Sequence, residues 1–234
     1  MLPYSCLIYH GPFALGPKPL TPAMRDEIRR LGAAFGAPIV RDVALDDVRF
    51  DPVGAPDRMA EVCMVVRRPS RKLLLSIKTF YPRGAWRLPT GGIHDGEPIF
   101  EALLRETHEE TGLEFVPRRF LAAVSYLNGA GGPPVFHTLA FLLDETGGTL
   151  GSLDPSEQIE DWREIEAAQL PEVAATLEAI PDRATPEIDN WSAWGRFRAV
   201  IHRVVHEALD QAGDAASRGP REARVEGAPP RSEP

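Results

Sequence analysis

The sequence predicts a mixed α/β fold, because strand-like segments stand on both sides of a helix rich in acidic residues. Two apolar, β-branched runs, "AEVCMVVRR" (60–68) and "KLLLSIKTF" (72–80), come before this helix. Two more, "RRFLAAVSYL" (118–127) and "PVFHTLAFLLD" (134–144), follow it and are joined by the turn "NGAGGPP". Runs of this composition, bounded by glycine and proline, are typical of β-strands. The predicted order of elements is therefore strands, helix, strands.

The composition of the chain changes along its length and predicts four parts. Residues 1–58 form an N-terminal extension with a short helix, and residues 59–180 form the main globular domain. Residues 181–211 supply a C-terminal helix that packs on this domain. Apolar residues of that helix recur at helical spacing and are expected in the core: Trp194, Phe197, Ile201, Val204, Val205 and Leu209. Residues 212–234 have almost no large apolar side chain and are predicted to be a disordered tail.

The overall composition indicates an ordinary globular protein and leaves small or metal-bridged anions open as partners. Of its 234 residues, 43% are hydrophobic and 26% are charged, and the net charge is -8. A negative chain argues against nonspecific attraction to nucleic acid or to an anionic membrane. Cys6 and Cys63 are the two cysteines, which supports neither a disulfide framework nor a zinc site ligated by cysteine. With no signal-peptide pattern and no apolar run of about 18 residues, a cytoplasmic location is expected.

The helix that begins near Pro98 has two different faces. One face is expected to pack on the sheet because apolar residues recur there at helical spacing: Phe100, Leu103, Leu104 and Thr107. On an adjacent arc, Glu106, Glu109 and Glu110 stand at positions i, i+3 and i+4, within reach of a common point. Acids so placed repel one another. Either they form a solvated helix face, or a hard divalent cation offsets the repulsion through oxygen ligands.

The residues that flank the acids favour a metal site over a solvated helix face. Pro98 suits the first turn of a helix, and Gly112 suits the left-handed residue that ends one. Gly91 lies in a glycine-rich turn ahead of the helix, where the backbone can approach a ligand closely. Arg105 follows Glu97 by eight residues, so an ion pair between them would brace the turn against the helix. A metal site needs bracing of this kind.

Residues 91–113 resemble the Nudix box, a motif with a glycine, a glutamate, Arg-Glu, Glu-Glu and a final glycine at fixed spacing. Thr107 departs from the motif, since the family usually has a bulky aliphatic residue there. The resemblance extends over roughly residues 59–180. It implies an α/β/α sandwich around a mixed β-sheet, here with N- and C-terminal extensions. It also implies hydrolysis of the pyrophosphate linkage in a nucleoside diphosphate joined to another group, with Mg²⁺ as the cofactor and Mn²⁺ as a substitute.

The resemblance also implies roles for individual residues. The expected metal ligands are three carboxylates and one backbone carbonyl: Glu106, Glu109, Glu110 and Thr90. The residues expected to brace the site are its glycines and an ion pair: Gly91, Glu97, Arg105 and Gly112. Glu109 is one candidate for the general base, and Glu157 or Glu160 on a later loop is another, with simple surface charge as the alternative for both of these.

Substrate specificity lies outside the motif. The segment "WRLPTGG" is flanked by cations that suit phosphates and by aromatic rings that suit a base, and the candidates are Lys78, Arg83, Trp86 and Arg87. Ordinary surface or core positions are equally consistent with these residues. The sequence leaves the identity of the nucleotide or sugar nucleotide open.

Two other functions fit the same fold. The chain could be a catalytically silent Nudix-like module that senses a nucleotide, although a sensor has no chemical need for clustered acids. A prenyl diphosphate isomerase is the weaker alternative. His202 and His206 have a spacing that can bind zinc, but no third ligand is evident and two ordinary histidines are expected. The apolar last helix is equally consistent with a cap on the domain and with pairing to a second subunit in a homodimer.

Overall fold

The computed structural model describes residues 16–55 and 58–217, and side chains are described as far as residue 211. Cys6 and most of the predicted tail lie outside these residues. The described elements follow one another in chain order: α1 (Pro22–Phe35), β1 (Ile39–Leu45), β2 (Ala60–Arg67), β3 (Leu73–Lys78), β4 (Thr90–Gly92), α2 (Ile99–Thr111), β5 (Leu113–Asn128), β6 (Pro134–Gly148), β7 (Ile159–Ile165), α3 (Leu170–Glu178) and α4 (Trp191–Ser217).

The strands form one mixed sheet in the order β1-β5-β6-β2-β3-β7, and β4 pairs with β2 beside this path. Strands β5 and β6 are antiparallel and form a long hairpin. Two pairs are parallel, β1 with β5 and β2 with β6. β2 pairs with β3 only near Arg67 and with β4 near Val62. The sheet therefore divides on that side of β2, and β4 enters the gap.

Strand β2 shows how the two faces of the sheet are covered. Its side chains alternate between two separate apolar clusters, as expected of a strand buried on both faces. One cluster combines β2 with residues of α1 and α2: Ala60, Val62, Met64, Val66, Met24, Leu31, Ile99, Ala102 and Leu103. The other combines β2 with residues of α3 and α4: Cys63, Val65, Leu170, Leu177, Trp191, Trp194 and Phe197. This arrangement confirms the predicted α/β/α sandwich.

The C-terminal helix α4 is part of the core of the protein. Its predicted core residues are buried or, for Leu209, packed against the buried cluster. The helix runs to Ser217, past the predicted end at residue 211, and residues 218–234 of the predicted tail lie outside the described part of the chain. None of the described helices is both long and apolar enough to cross a membrane.

The N-terminal extension contains the predicted short helix and also a strand that the sequence did not predict. Helix α1 begins after Thr21, whose hydroxyl accepts a hydrogen bond from the Met24 N–H at 3.2 Å. The chain then turns and adds β1 to the edge of the sheet, parallel to β5. An edge strand needs only one apolar face, so β1 has alternating exposed residues and a central Arg41-Asp42 pair. This pattern does not read as a buried strand in the sequence.

Two further expectations need correction. Leu104 does not pack on the sheet, because 40% of this residue is exposed, and Phe100 is half-buried against Phe35 of α1 rather than against a strand. Strand β7 was also missed, since its sequence "IEDWREI" reads as a charged loop. Its pairing with β3 places it at the other edge of the sheet, where most side chains face solvent.

Candidate metal and catalytic site

Helix α2 turns two of its glutamates toward the interior. Glu106 is 7% exposed and Glu110 is 1% exposed. They stand four residues apart and so share one side of the helix. The side chain of Glu109 is 46% exposed and contacts Arg105 instead. The structure therefore separates Glu109 from the other two acids of the predicted trio.

A third carboxylate comes from the loop after β6, which is hydrogen-bonded to the C-terminal end of α2. The Gly151 N–H donates to the Thr111 carbonyl at 2.9 Å, and the Leu153 N–H donates to the Glu109 carbonyl at 2.8 Å. A single turn of 3-10 helix, Pro155–Glu157, follows directly. Since the loop is bonded to the helix end, Glu157 is brought to the buried acids of α2.

Glu106, Glu110 and Glu157 form a cluster in which one carboxylate oxygen from each residue lies within 4.8 Å of the others. Among the residues that the structure describes, Oε2 of Glu110 is buried and has no hydrogen-bond partner. An unsatisfied buried carboxylate oxygen is costly. A donor set made only of carboxylate oxygens suits a hard divalent cation. The cluster thus fits the metal site that the resemblance implies and adds Glu157 to it, whereas a role for Glu109 as a metal ligand stays a prediction.

Burial and nearby charge set the pKa of each acid in the cluster. Burial raises the pKa of Glu110 to about 8, against the opposing charges of Lys78 and Arg87. Burial also raises the pKa of Glu106, although Arg105 opposes the rise. The pKa of Glu157 is lowered, because its burial is outweighed by Lys78, whose Nζ lies 2.8 Å from a Glu157 oxygen. Glu110 therefore holds a proton near neutral pH unless a cation replaces it.

Arg105 joins the turn before α2 to the acids on it. Its Nε and Nη2 donate to the two oxygens of Glu97 at 2.7 and 2.8 Å, and Nη2 also donates to the Gly92 carbonyl at 3.0 Å. Its Nη1 donates to Glu106 at 2.8 Å and to Glu109 at 3.1 Å. The ion pair expected between Arg105 and Glu97 is present. Because Arg105 contacts both sides, it fixes the turn and the helix relative to each other.

Gly91 and Gly112 leave room that a side chain would fill. A methyl group on Gly91 would lie 2.1 Å from the Glu106 carboxyl carbon, so an alanine there would displace Glu106. Gly112 has φ +65°, and its methyl group would lie 2.7 Å from the Thr149 carbonyl oxygen and 2.8 Å from that of Gly151. Glycine is required at the end of α2 both by the left-handed backbone and by the loop that carries Glu157.

Thr90 begins β4 and is 7% exposed. Its hydroxyl accepts a hydrogen bond from Nη1 of Arg87 at 3.1 Å, and the same nitrogen donates to the Leu88 carbonyl at 2.9 Å. Nε of Arg87 donates to the Tyr81 hydroxyl at 2.9 Å. Arg87 was expected to bind substrate, but the structure shows it 2% exposed and bonded within the chain. A role for the Thr90 carbonyl as a metal ligand stays a prediction.

The other predicted substrate contacts lie in different surroundings. Lys78 adjoins the acid cluster through its ion pair with Glu157. The ring of Trp86 is partly buried, and the Arg163 guanidinium stacks on it with 4.5 Å between the guanidinium carbon and the ring centroid. Arg83 is exposed and lines a surface hollow next to α3. Lys78 is thus the one of these three that the fold places at the acids.

His202 of α4 supports the backbone segment that leads to Thr90. The Leu88 N–H donates to Nε2 of His202 at 3.0 Å, so Nδ1 carries the proton and donates to the Arg198 carbonyl at 2.7 Å. Burial lowers the pKa of His202 to about 4, which keeps the ring neutral. Both ring nitrogens are occupied, so His202 and His206 do not form a zinc site.

Two features of the site could not be found by reading the motif. The position of Glu157 depends on a loop that contacts α2 far from it in sequence, and "SEQIED" around it has no local mark that separates Glu157 from Glu160. Glu160 is exposed on β7. The contact of His202 with Leu88 joins residues 114 positions apart, and only the fold brings them together.

Comparisons with known proteins identify the family of the chain. The family model described as NUDIX domain matches residues 57–198. Nudix hydrolase 6 of Arabidopsis thaliana is 35% identical over 66 residues, which are 27% of this chain and 23% of that protein. An RNA pyrophosphohydrolase of Novosphingobium aromaticivorans is 31% identical over 105 residues, 38% of this chain and 65% of that protein.

A third relative is the 8-oxo-dGDP phosphatase NUDT18 of Homo sapiens, which is 40% identical over 68 residues, 29% of this chain and 19% of that protein. The chain therefore matches less than two thirds of the length of each of these relatives. The family model, however, spans more than half of the chain and includes the motif and all three clustered acids. The chain belongs to the Nudix family.

Proposed function

We propose that the protein is a Mg²⁺-dependent hydrolase that cleaves the pyrophosphate linkage of a nucleoside diphosphate joined to another group. The observation that carries this proposal is the cluster of Glu106, Glu110 and Glu157, with ligand oxygens within 4.8 Å of one another. Carboxylates this close together repel one another, and within the cluster Lys78 and Arg105 bond only Glu157 and Glu106. A divalent cation offsets this repulsion and also suits the phosphate oxygens of the substrate.

The type of cation follows from the ligands. Carboxylate oxygens select Mg²⁺, with Mn²⁺ as a substitute, over metals that prefer nitrogen or sulfur. The unsatisfied Oε2 of Glu110 gives the cluster a ligand atom that no other described residue uses. The Thr90 carbonyl is proposed as an additional ligand, because Arg87 holds this residue at the start of β4.

Different residues are proposed to bind the cation, to position its ligands and to contact the substrate. When bound, the cation lowers the pKa of a coordinated water and offsets phosphate charge. Glu106, Glu110 and Glu157 would hold it. Arg105 keeps Glu106 in place through the hydrogen bond at 2.8 Å. Lys78, beside the cluster, is proposed to contact a substrate phosphate, since an ammonium group suits this role.

A carboxylate must also accept the proton of the attacking water. Glu157 lies inside the cluster and is proposed as a ligand. Glu109 lies next to the cluster, is half-exposed, and shares the Arg105 guanidinium with Glu106, which supports Glu109 as the proton acceptor. Replacing each acid with glutamine separates the roles: Glu157→Gln should weaken Mn²⁺ binding, whereas Glu109→Gln should lower kcat and leave Mn²⁺ binding intact.

The substrate class is a small nucleotide. Two relatives are named for RNA and for 8-oxo-dGDP, and both names describe a pyrophosphate linkage attached to a nucleoside. The net charge of -8 argues against a long polyanion. Arg83, Trp86 and Arg87 remain candidates for substrate contacts, although Trp86 and Arg87 are already engaged within the chain. The four-part division, a homodimer and a cytoplasmic location also remain predictions.

The deciding experiment measures phosphate and pyrophosphate release from a panel of substrates. The panel contains nucleoside di- and triphosphates, 8-oxo-dGDP, nucleotide sugars, ADP-ribose, coenzyme A, dinucleoside polyphosphates and a short RNA with a 5′ triphosphate. Each is tested with Mg²⁺, with a chelator, and with Glu110→Gln. Glu101→Gln is the matched control, because Glu101 is an exposed acid in the first turn of the same helix. Turnover that requires both Mg²⁺ and Glu110 supports the proposal.

A different result would favour the sensor. If no panel member is hydrolysed while one of them raises the melting temperature of the protein, the chain binds nucleotides without chemistry. In that case the acid cluster would still bind Mn²⁺, but its occupancy would change nucleotide affinity and not turnover.

A further inference from the structure

The N-terminal end of α2 lacks a cap from its own sequence. The first N–H groups of a helix have no partner within it and usually bond a Ser, Thr, Asp or Asn side chain just before the helix. Here that position is Pro98, which has no side-chain group for this role and makes no side-chain cap hydrogen bond. The helix that carries Glu106 and Glu110 therefore depends on another part of the chain for its first turn.

Glu27 of α1 supplies the cap. Its Oε2 accepts a hydrogen bond from the Ile99 N–H at 2.9 Å, and its Oε1 accepts one from the Phe100 N–H at 3.0 Å. Both oxygens of a single carboxylate thus satisfy the first two residues of α2. A negative charge at this end is also favourable, because the helix dipole makes the N-terminus positive.

Apolar contacts hold α1 in the position that this cap requires. Met24 and Leu31 of α1 are buried in the same cluster as Ile99 of α2. The rings of Phe35 and Phe100 are stacked, with 5.6 Å between centroids and 17° between planes. After α1 the chain continues into β1, which pairs with β5. Both ends of α1 are therefore tied to the domain.

The two ends of α2 are thus held by two different parts of the chain. The loop after β6 bonds the C-terminal end through Gly151 and Leu153, and Glu27 bonds the N-terminal end. Glu106 lies between these attachments, and Glu110 lies at the C-terminal one. A metal site tolerates ligand displacements of only about 0.5 Å, so a helix fixed at both ends keeps Glu106 and Glu110 at the required distance from Glu157.

We propose that Glu27 is a positioning residue for the metal site, and that α1 supports the acid-bearing helix of this enzyme. This inference rests on the proposed function, because it assumes that the acid cluster binds a divalent cation. Helix α1 and β1 lie outside residues 57–198, the part of the chain that matches the family model. The cap is therefore a feature of this chain that the motif does not contain.

The test compares Glu27→Gln with Asp26→Asn in the full chain. Glutamine has the shape of glutamate but presents an NH₂ group to one of the two backbone N–H donors, so one hydrogen bond is lost. Asp26 is the neighbouring acid of α1, and it contacts only the exposed Arg29 among the hydrogen bonds of the described residues. Mn²⁺ dissociation constants are measured by electron paramagnetic resonance, and hydrogen exchange is measured for the peptide that covers residues 99–103.

Glu27→Gln is expected to weaken Mn²⁺ binding by up to about tenfold, the lower limit for changes that touch metal ligands directly, because Glu27 bonds α2 about two turns before Glu106. The substitution is also expected to speed exchange in residues 99–103. High Mn²⁺ should restore turnover. Asp26→Asn should match the wild type in both measurements. Faster exchange with an unchanged Mn²⁺ dissociation constant would overturn the positioning role and leave the proposed function intact. A wild-type protein that does not bind Mn²⁺ would overturn both.

Discussion

A single buried glutamate on one face of the sheet and the cluster of three glutamates on the other face have different surroundings. On the α4 face, Glu61 of β2 is 2% exposed, and its Oε1 accepts hydrogen bonds from Arg198 Nη1 at 2.6 Å and Thr138 Oγ1 at 2.9 Å. Arg198 is 5% exposed and lies over the ring of Phe197, with 4.8 Å to its centroid. The charge of Glu61 is therefore balanced within the chain.

The acid cluster on the α2 side is not balanced in this way. In the cluster, Lys78 bonds Glu157 and Arg105 bonds Glu106, and the charges of Lys78 and Arg87 also act on Glu110. Oε2 of Glu110 is nevertheless buried without a hydrogen-bond partner among the described residues. A buried carboxylate with its own arginine is a structural pair, whereas a cluster of carboxylates with an unsatisfied buried oxygen indicates a site for an external cation. The two groups should respond differently to the same substitution.

The largest expected effect is the loss of stability when Glu61 is replaced. Glu61→Gln leaves the buried charge of Arg198 without its partner, and breaking a buried ion pair costs about 3–5 kcal/mol. Urea unfolding of the metal-free protein measures this loss. Glu61→Gln combined with Arg198→Met should regain most of the stability, because both charges are then gone. A Glu61→Gln protein as stable as the wild type would show that Glu61 is no more a structural charge than the acids of the cluster.

The second effect is on Glu110. Glu110→Gln should lower turnover roughly a hundredfold or more, since losses of 10 to 100-fold already follow from changes beside metal ligands. The free energy of unfolding of the metal-free protein should not decrease, because the substitution removes a buried charge that has no partner. The measurements are steady-state kinetics and urea unfolding at pH 9. A loss of stability as large as that of Glu61→Gln would mean that Glu110 is a structural acid.

The third effect is the pH dependence of metal binding. The pKa of Glu110 is raised by burial to about 8, so the proton must leave before a cation binds. Mn²⁺ affinity should rise about tenfold per pH unit below this value and level off above it. Titrations at pH 6, 7, 8 and 9 measure the slope, and Glu110→Gln should reduce it. An affinity that does not change with pH would contradict the assignment of Glu110 as a ligand.

The raised pKa of Glu110 also makes the stability of the metal-free protein depend on pH. Between the ordinary glutamate pKa of 4.5 and about 8, the folded protein binds more protons at Glu110 than the unfolded chain does. The contribution of Glu110 to stability is therefore present at low pH and is lost as the pH rises through this window. Bound Mg²⁺ should remove this loss, which melting temperatures with and without Mg²⁺ can show.

The smallest expected effect is a difference in Mn²⁺ binding between alanine substitutions at two neighbouring glycines. A methyl group on Gly91 would lie 2.1 Å from the carboxyl carbon of Glu106, whereas one on Gly92 would meet only the exposed side chain of Arg58 at 3.0 Å. Gly91→Ala should weaken Mn²⁺ binding several-fold because Glu106 must move. Gly92→Ala should have little effect, since a flexible arginine can shift. Equal dissociation constants for the two variants would show that the position of Glu106 does not matter for binding.

Much of this site could be predicted from local sequence. The spacing of Glu106 and Glu110 follows from helical geometry, and the Glu97–Arg105 ion pair follows from a turn and a helix that are adjacent in sequence. Contacts of this kind can be predicted from sequence because only a few residues of known local structure separate the two partners. The exposed position of Glu109 was not predictable, because helical spacing alone does not say which side of α2 meets the loop after β6.

The family, the α/β/α fold and the helix that carries the acids can be predicted from local sequence, since they depend on strand patterns and on one contiguous motif. Which carboxylates meet depends on long-range contacts, because Glu157 reaches the cluster through a loop bonded to the C-terminal end of α2. The cap that α1 gives to this helix and the internal position of Arg87 depend on long-range contacts as well. Each of these contacts joins groups whose local sequence is unremarkable, and burial and hydrogen bonding across the fold give them their roles.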